Sequence, residues 1–503
     1  MFKTLQQTFN PDSDLPARSF RLQMLARVVN GTLYDNLKHR FETEISANDE
    51  YVPLRERRPS VRYRLCRLVI DDSVSLLFDE GHFPKIECEN ESANEIFEAL
   101  GKELNLNLLM IDAATRGSVG SVAIWLRVLE NRPFLSVLDT PFLTPIWKKM
   151  APDTLEAVLE RYKVKGKDLR ASGYAIEDKD AEQMFWFARD WTETEEVWYQ
   201  PQKDSDYKEG KPLIRDEVNT VKHSLGFVPI VWIKNLPGGD TIDGAPTLPD
   251  EAIDTAIEID YQLSQAGRGL KYSSDPTLLI KEPAMGQNDD FIKGAGNAMV
   301  VSQDGDAKML EINGTAIEAV INYVRLLREL TIESMHGNRS NSEKQASAPS
   351  GRALELMNQA LVWLADKLRI SYGEHGLLAL MQMILKAHAK VPLMLKSGEK
   401  LPPIEPKTPI YLRWPRWYAP TMQDMLDRSN TLRTLCDSGL MSRETAIKVL
   451  ADEYDIEDVA AEKLLADADM KAAAEMVKPK HTKQTIFQDA NKMVVGANEE
   501  TDA

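Results

Sequence analysis

The sequence predicts a multidomain α+β protein. Three observations carry that expectation. At 503 residues the chain exceeds one ordinary domain and fits about three. The span from Gly117 to Ile233 is aromatic-rich and alternates with the two-residue period of antiparallel strands. The spans on either side carry apolar residues at helical spacing.

Taken in order, residues 15–45 read as helix (ARSFRLQMLARVVN, then TLYDNLKHRFETEI), and a basic, proline-bounded stretch follows from Pro53 to Arg64. Leu65, Leu68, Val69, Val74, Leu76 and Leu77 predict a helix from Val61 to Phe78, with Gly81 as its left-handed cap. A short strand (FPKIECE) comes next. A helix over 92–112 then places Ile96, Phe97, Leu100 and Leu104 on one face.

Val122–Val128 and Phe134–Val137 read as paired strands joined through Glu130-Asn131-Arg132-Pro133. Further strands are expected at 157–164 (a composition that also suits a helix), 184–187 and 196–199, with a charged turn at 204–209. Phe227–Ile233 is an apolar strand in which Pro229 marks an edge or a bulge.

A helix from Pro249 to Ala266 carries Asp250, Glu251 and Asp254 in its first turns, where the helix dipole favours carboxylates. Gly267-Arg268-Gly269 is expected to break it. Strands at 277–281 and 298–302 and a turn at 303–306 fill the segment 268–314. A second helix, 315–336, then runs into Gly337–Pro349 (GNRSNSEKQASAP), which has no large apolar residue and cannot pack a core. Helix connections are usually about 2–8 residues, so this one reads as a functional or unstructured tip. Helical spacing resumes at Ser350 and continues to Lys390, where Gly373 and Gly376 suggest a kink. Residues 411–418 are extended and aromatic, and 421–470 are helical, with Gly439 as a cap and Ser442 as a helix start.

Several functions are excluded by the same reading. No GxxxxGK[ST], HExxH, HxH or nucleophile elbow occurs, so no catalytic set, metal site or cofactor is expected. Cys66, Cys88 and Cys436 cannot form a disulfide framework, and the expectation is a reducing, cytoplasmic place of synthesis. The N-terminal stretch lacks a signal-peptide core, and no apolar run approaches the roughly 20 residues needed to span a bilayer. The net charge of −17 argues against sequence-independent wrapping of nucleic acid. Arg55, Arg57, Arg58, Arg62 and Arg64 read as a solvated or subunit-pairing surface ahead of a DNA site.

The order of these elements resembles the bacteriophage portal protein family, in particular the siphophage type that forms the head-to-tail connector. The stretches VIDDSVSLLFDEG (69–81), FVPIVWIKN (227–235), SSDPTLLIK (273–281), SGRALELM (350–357) and SGLMSRETAIKVL (438–450) carry the resemblance. It implies a homo-oligomeric ring, typically a dodecamer, at one capsid vertex, with double-stranded DNA passing through it during packaging and ejection. Residues 1–247 and 350–420 would then form a wing, and 248–267 and 315–336 a two-helix stem. The clip would be 268–314, the tunnel loop 337–349 and the crown 421–475, followed by a mobile tail over 476–503. Assembly would take place in the host cytoplasm and the final location would be the virion.

The implied partners are further copies of the chain, DNA, terminase large subunit, head-completion or adaptor proteins, and capsid and scaffolding proteins, with no membrane. The implied DNA-facing residues are Asn338, Arg339, Ser340, Asn341, Ser342, Glu343, Lys344 and Gln345. Docking of terminase or connector would use Lys271, Asp275, Lys281, Asp289, Asp290 and Lys293. Ile253, Ile257, Ile317, Val320, Ile321 and Val324 are the stem packing residues, with their partner in the same or a neighbouring subunit left open. The rival readings are a metal-dependent nuclease and a non-ring structural or scaffolding protein.

Overall fold

The computed structural model describes residues 1–9, 15–88, 91–274, 277–283, 301–310, 314–337, 351–406, 408–418, 421–451, 456 and 458–477. Two compact units divide the chain at residues 419–420; the first mixes helix and sheet and the second is helical. The α+β class is therefore the one the sequence predicts.

Helices α1 (Phe2–Thr8) and α2 (Ala17–Asn30) open the first unit, and the helix expected over 31–45 is absent. Gly31 adopts a left-handed φ of 74° and its N–H closes back on Val28, which stops α2. Leu33, Tyr34, Leu37 and Phe41, spaced like a helix stripe, reach the core from turns instead. Strand β1 (His39–Arg40) pairs in parallel with β2 (Arg57–Arg58). Helix α3 starts only at Leu65 and ends at Phe78 with Asp79 extended, so Gly81 is not a left-handed cap. After β3 (Lys85–Cys88), the single helix expected over 92–112 is two, α4 (Glu91–Glu103) and α5 (Leu106–Gly117). They part where Asn105 turns left-handed at a φ of 48°.

Strands β4 (Ser121–Leu129) and β5 (Arg132–Asp139) form the expected hairpin, and Glu130 and Asn131 supply the two positive φ angles, 49° and 61°, of its turn. Beyond it lie β6 (Leu143–Lys148) and β7 (Ala151–Lys165); the composition of 157–164 resolves as strand. Helix α6 (Gly166–Ala171) leads to β8 (Met184–Trp191), β9 (Glu195–Trp198) and β10 (Gln202–Lys203). The charged segment expected as a turn is a short helix, α7 (Asp204–Lys208), and β11 (Val221–Lys222) and β12 (Ile230–Lys234) close the region.

These strands make two sheets. The smaller has the order β12-β4-β5, so β12 is an edge strand and Pro229 precedes it. The larger runs β11-β9-β8-β7-β6, with β10 on β8. Strand β4 is buried on both faces: Val122, Ile124 and Leu126 join the main helical core, while Ala123 and Trp125 join a second core with Val158 and Trp191. Between the sheets the Arg189 guanidinium lies over the rings of Trp125, Trp191 and Trp198 and bonds Glu160 at 2.8 Å. Burial pushes the carboxyl of its other partner, Glu196, upward.

Helix α8 (Asp250–Ser274) is continuous through Gly267 and Gly269, which do not break it. Arg268 pairs with Glu44, and Lys271 bonds Glu42 at 3.4 Å, so ion pairs hold the turns that the glycines weaken. Strands β13 (Thr277–Pro283) and β14 (Val301–Leu310) pair antiparallel. Residues 303–306, expected as a turn, lie within β14; Asp306 is opposite Lys281, and the register shifts before Val301 meets Pro283, so 302–305 bulge from the ladder. Helix α9 (Gly314–Ser334) follows.

The long helical span is interrupted twice. Helix α10 (Gly351–Met357) meets α11 (Gln359–Leu368) at Asn358, and a π-helical stretch, Arg369–Leu378, then leads into α12 (Ala379–Lys390). Both expected kink glycines lie in the π stretch. A Cβ on Gly373 would come within 2.5 Å of Trp414 and one on Gly376 within 2.9 Å of Ile233. Strand β15 (Ile410–Arg413) pairs with β3 and carries Trp414 into place.

The second unit contains α13 (Met422–Asp437), started by a Thr421–Asp424 capping box, then α14 (Arg443–Ala451) and α15 (Val459–Val477). Gly439 is left-handed at a φ of 72°. The Ser442 hydroxyl accepts from the Thr445 N–H at the start of α14.

Candidate functional site

Helices α8 and α9 pack on each other, and the β13–β14 hairpin connects them. Their faces are sharply divided. On α8, Ile253 and Ile257 are buried in the chain's own core. The solvent side carries Glu251, Asp254, Glu258, Gln262 and Gln265 at helical spacing, an acidic and amide face with no lysine or arginine, on which Asp254 is paired with the Met1 ammonium at 3.0 Å. On α9, Leu327, Thr331 and Ile332 are buried, and Val320 and Val324 half-buried. Its polar side carries Glu318, Asn322, Arg325, Glu329 and Glu333, all exposed.

A third face of α9 was not read from the sequence. Tyr323, Leu326 and Leu330 are 45%, 51% and 50% exposed, and Ala319 lies four residues before Tyr323 on the same line. Steps of four, three and four residues are the repeat of a helix–helix seam. Ile321, 43% exposed, lies on another side of the helix. The signal was present as spacing, but the main stripe of Val320, Val324 and Leu327 overlaps it.

A buried polar assembly packs against the middle of α8. The Asp260 carboxylate accepts from the Tyr34 hydroxyl and the Tyr63 N–H, both at 2.8 Å. Burial pushes its pKa upward against those hydrogen bonds. The Ser264 hydroxyl donates to the Asp260 carbonyl and accepts from the Val61 N–H, and Tyr261 donates to the Arg57 carbonyl at 2.9 Å. Arg328 on α9 donates to the Tyr63 hydroxyl at 3.0 Å, so residues 57–63 strap both helices.

The basic stretch is thereby explained as structure. Arg57 is 2% exposed and donates twice to the Val52 carbonyl, Arg58 donates to Leu37, and Arg62 pairs with Asp35 at 3.7 Å. Arg64 donates to Val29. A half-open cavity of about 40 Å³ is lined by Tyr34, Arg62, Cys66, Ile257 and Asp260. Burial pushes the Cys66 thiol up to about 12 and the Tyr34 hydroxyl well above its ordinary range. Both stay protonated, and neither is a nucleophile. Among the described residues no group of three His, Cys, Asp or Glu is arranged to hold a metal.

The ends of the polar segment are anchored differently. At the C-terminus of α9, His336 is left-handed at a φ of 54° and donates to Glu333, while Gly337 donates to the Ile332 carbonyl at 2.9 Å. This is the paired closure of a Schellman motif. A Cβ on Gly337 would touch Val69 of α3 at 3.0 Å, so the chain is seated in the core before it departs. On the returning side, the Tyr372 hydroxyl donates to the Asn235 side-chain oxygen at 3.0 Å, both residues fully buried. Asn235 donates in turn to the Ala245 carbonyl and the Thr247 hydroxyl, the residues that lead into α8.

Asn338, Arg339, Ser340, Asn341, Ser342, Glu343, Lys344 and Gln345 lie outside the described residues, as do Asp275, Asp289, Asp290 and Lys293. Lys271 is exposed near the end of α8, Lys281 sits in β13, and Ile317 belongs to the first turn of α9.

A model of the family described as phage portal protein, SPP1 Gp6-like, matches residues 119–474, which is 356 of the 503 residues. The match starts at the small sheet and ends inside α15. A comparison with curated proteins finds no match.

Proposed function

The chain belongs to the SPP1 Gp6-like phage portal protein family, and from that premise we propose that it assembles into a closed ring, of twelve copies by family analogy. Portal proteins of this family are structural and non-enzymatic, and the chain is accordingly a component of the phage head at its connection to the tail. In the ring, α8 up to Gly267 and α9 form the stem; residues 268–314, which include the last turns of α8, form the clip and 337–349 the tunnel loop, with the second unit as the crown.

One observation supports this reading most directly. The α9 seam of Ala319, Tyr323, Leu326 and Leu330 has the spacing of a helix–helix contact and no cover among the described residues. A neighbouring stem is the fitting partner. The acidic and amide face of α8 then suits a wall past which DNA slides, because it repels phosphate instead of holding it. Terminase large subunit and the head-completion or adaptor proteins dock at the clip, capsid and scaffolding proteins contact the wing, and the ring occupies the portal vertex after assembly in the host cytoplasm.

Native mass measurement and negative-stain imaging of the purified protein test the proposal. Rings with a channel wide enough for duplex DNA are expected. A monomer at every concentration would sink it, and divalent-metal-dependent DNA cleavage would favour the nuclease reading instead.

A further inference from the structure

Helix α15 is packed inside out. Its inner side, with Glu462, Lys463 and Asp467 half-buried, meets α14 through Arg443–Asp467 at 3.2 Å and Lys463–Glu444 at 3.1 Å. The opposite side is apolar. Ala461, Leu464, Leu465 and Ala468 fall at i, i+3, i+4 and i+7, the spacing of a core-facing stripe. Yet Leu464 is 72% and Leu465 62% exposed. Ion pairs on a half-exposed surface contribute little, whereas that stripe would contribute most if covered.

The rest of the unit has the same deficit. Among its described apolar residues only Leu432 and Ala446 are buried. On α13, Met422 is 77% and Leu426 58% exposed, one turn apart. A small helical unit with so slight a core does not offset the entropy of ordering its chain.

We propose that the α15 stripe is covered by the Met422–Leu426 face of α13 from a second copy of this chain. The unit presents two unlike apolar patches on two helices. A head-to-tail contact between identical copies uses both at once, and closure of a ring leaves neither exposed. Nucleic acid does not fit the surface, because residues 421–477 hold thirteen Asp and Glu against six Lys and Arg. The inference rests on the ring reading and adds that the second unit completes its core only between subunits.

The test uses the full chain. Rings and protomers are separated by size and compared by hydrogen exchange, and the amides of 461–468 should exchange at least about tenfold more slowly in the ring. In parallel, Leu426→Cys and Leu465→Cys are combined in a Cys436→Ser background and oxidised. A ladder of covalent multimers is expected only when both new cysteines are present. Rings that form with equal exchange in both fractions and no ladder would overturn the proposal while leaving the ring reading intact. Absence of rings in the unmodified protein would overturn both. Protection already present in protomers and lost on removal of 478–503 would identify the chain's own C-terminal segment as the cover, and the proposal would fall.

Discussion

Gly117 and Tyr372 allow the junction between α5 and the π stretch to be tested as a coupled pair. In Gly117→Ala the new methyl would lie 2.1 Å from the Tyr372 hydroxyl oxygen and 3.0 Å from both its ring carbon and Val122. Tyr372 has no exposed surface, so the phenol has nowhere to go, and the cost belongs at the upper end of the roughly 1–3 kcal/mol of overpacking. Better helix propensity returns up to about 1 kcal/mol, leaving a net loss of about 2. Tyr372→Phe alone removes the donor to the Asn235 oxygen, which is buried, and costs about 1–3 kcal/mol. In the double variant the 2.1 Å contact no longer exists and only the 3.0 Å contacts remain. With those contacts offsetting the propensity gain, its loss should match that of Tyr372→Phe, about 2 kcal/mol less than the sum of the singles. Urea unfolding followed by tryptophan fluorescence measures this from midpoints at a common slope. Additivity within about 0.5 kcal/mol would refute the assigned contact.

Four further outcomes are expected. His336→Gly should raise stability by roughly 1 kcal/mol, because glycine takes the left-handed cap without strain; a lower melting temperature would contradict the assigned closure. His223 accepts from the Leu225 N–H and donates to the Thr192 carbonyl, and burial holds its pKa below the ordinary value. Its neutral form is the folded one, so its contribution is present above about pH 6.5 and is lost as pH falls from there through the depressed pKa. His223→Gln should flatten that part of a stability–pH profile. Arg57→Ala leaves the Val52 carbonyl without its donors and should cost about 2 kcal/mol in thermal or urea unfolding, while exposed Arg55→Ala stays within about 0.5. Ser342→Trp should impair DNA packaging in complementation assays and leave ring assembly intact; failure of the rings to form would make 337–349 an assembly element.

The readable parts of the fold were those in which local pattern and tertiary packing agree. Alternation and two turn residues place the β4–β5 hairpin, and the apolar stripe of α3 survives into the core. The errors share a cause, which is tertiary contact overriding a local signal. Asp304-Gly305 is a strong turn dipeptide, yet it becomes a bulge inside β14, because the flanking Asp306 and Val301 pair with Lys281 and Pro283 of β13. Gly267 and Gly269 look like a helix end, yet Arg268 and Lys271 find carboxylates across the chain. Arg57 reads as solvated because a run of arginines carries no sign that the chain will double back and bury the Val52 carbonyl, five residues earlier, against this one guanidinium. At the stem, sequence supplied Ile253 and Ile257, which the chain spends on itself. The exposed seam of Tyr323, Leu326 and Leu330 could be separated from the core stripe only by knowing which side of α9 meets α8.

Strand β4 has a consequence for the order of synthesis. One of its neighbours, β5, emerges from the ribosome immediately, but the other, β12, pairs Lys234 with Ser121 and Ile230 with Trp125 from more than a hundred residues downstream. Until that segment arrives, a strand destined for burial on both faces has one free edge of amides and carbonyls. Such edges invite pairing with other chains. At a translation rate of roughly 5–20 residues per second the interval lasts several seconds, and an unscreened nascent chain is open to misassembly throughout it. Codon choice and chaperone access between residues 130 and 234 should therefore affect the yield of assembly-competent protein more than they would elsewhere in the chain.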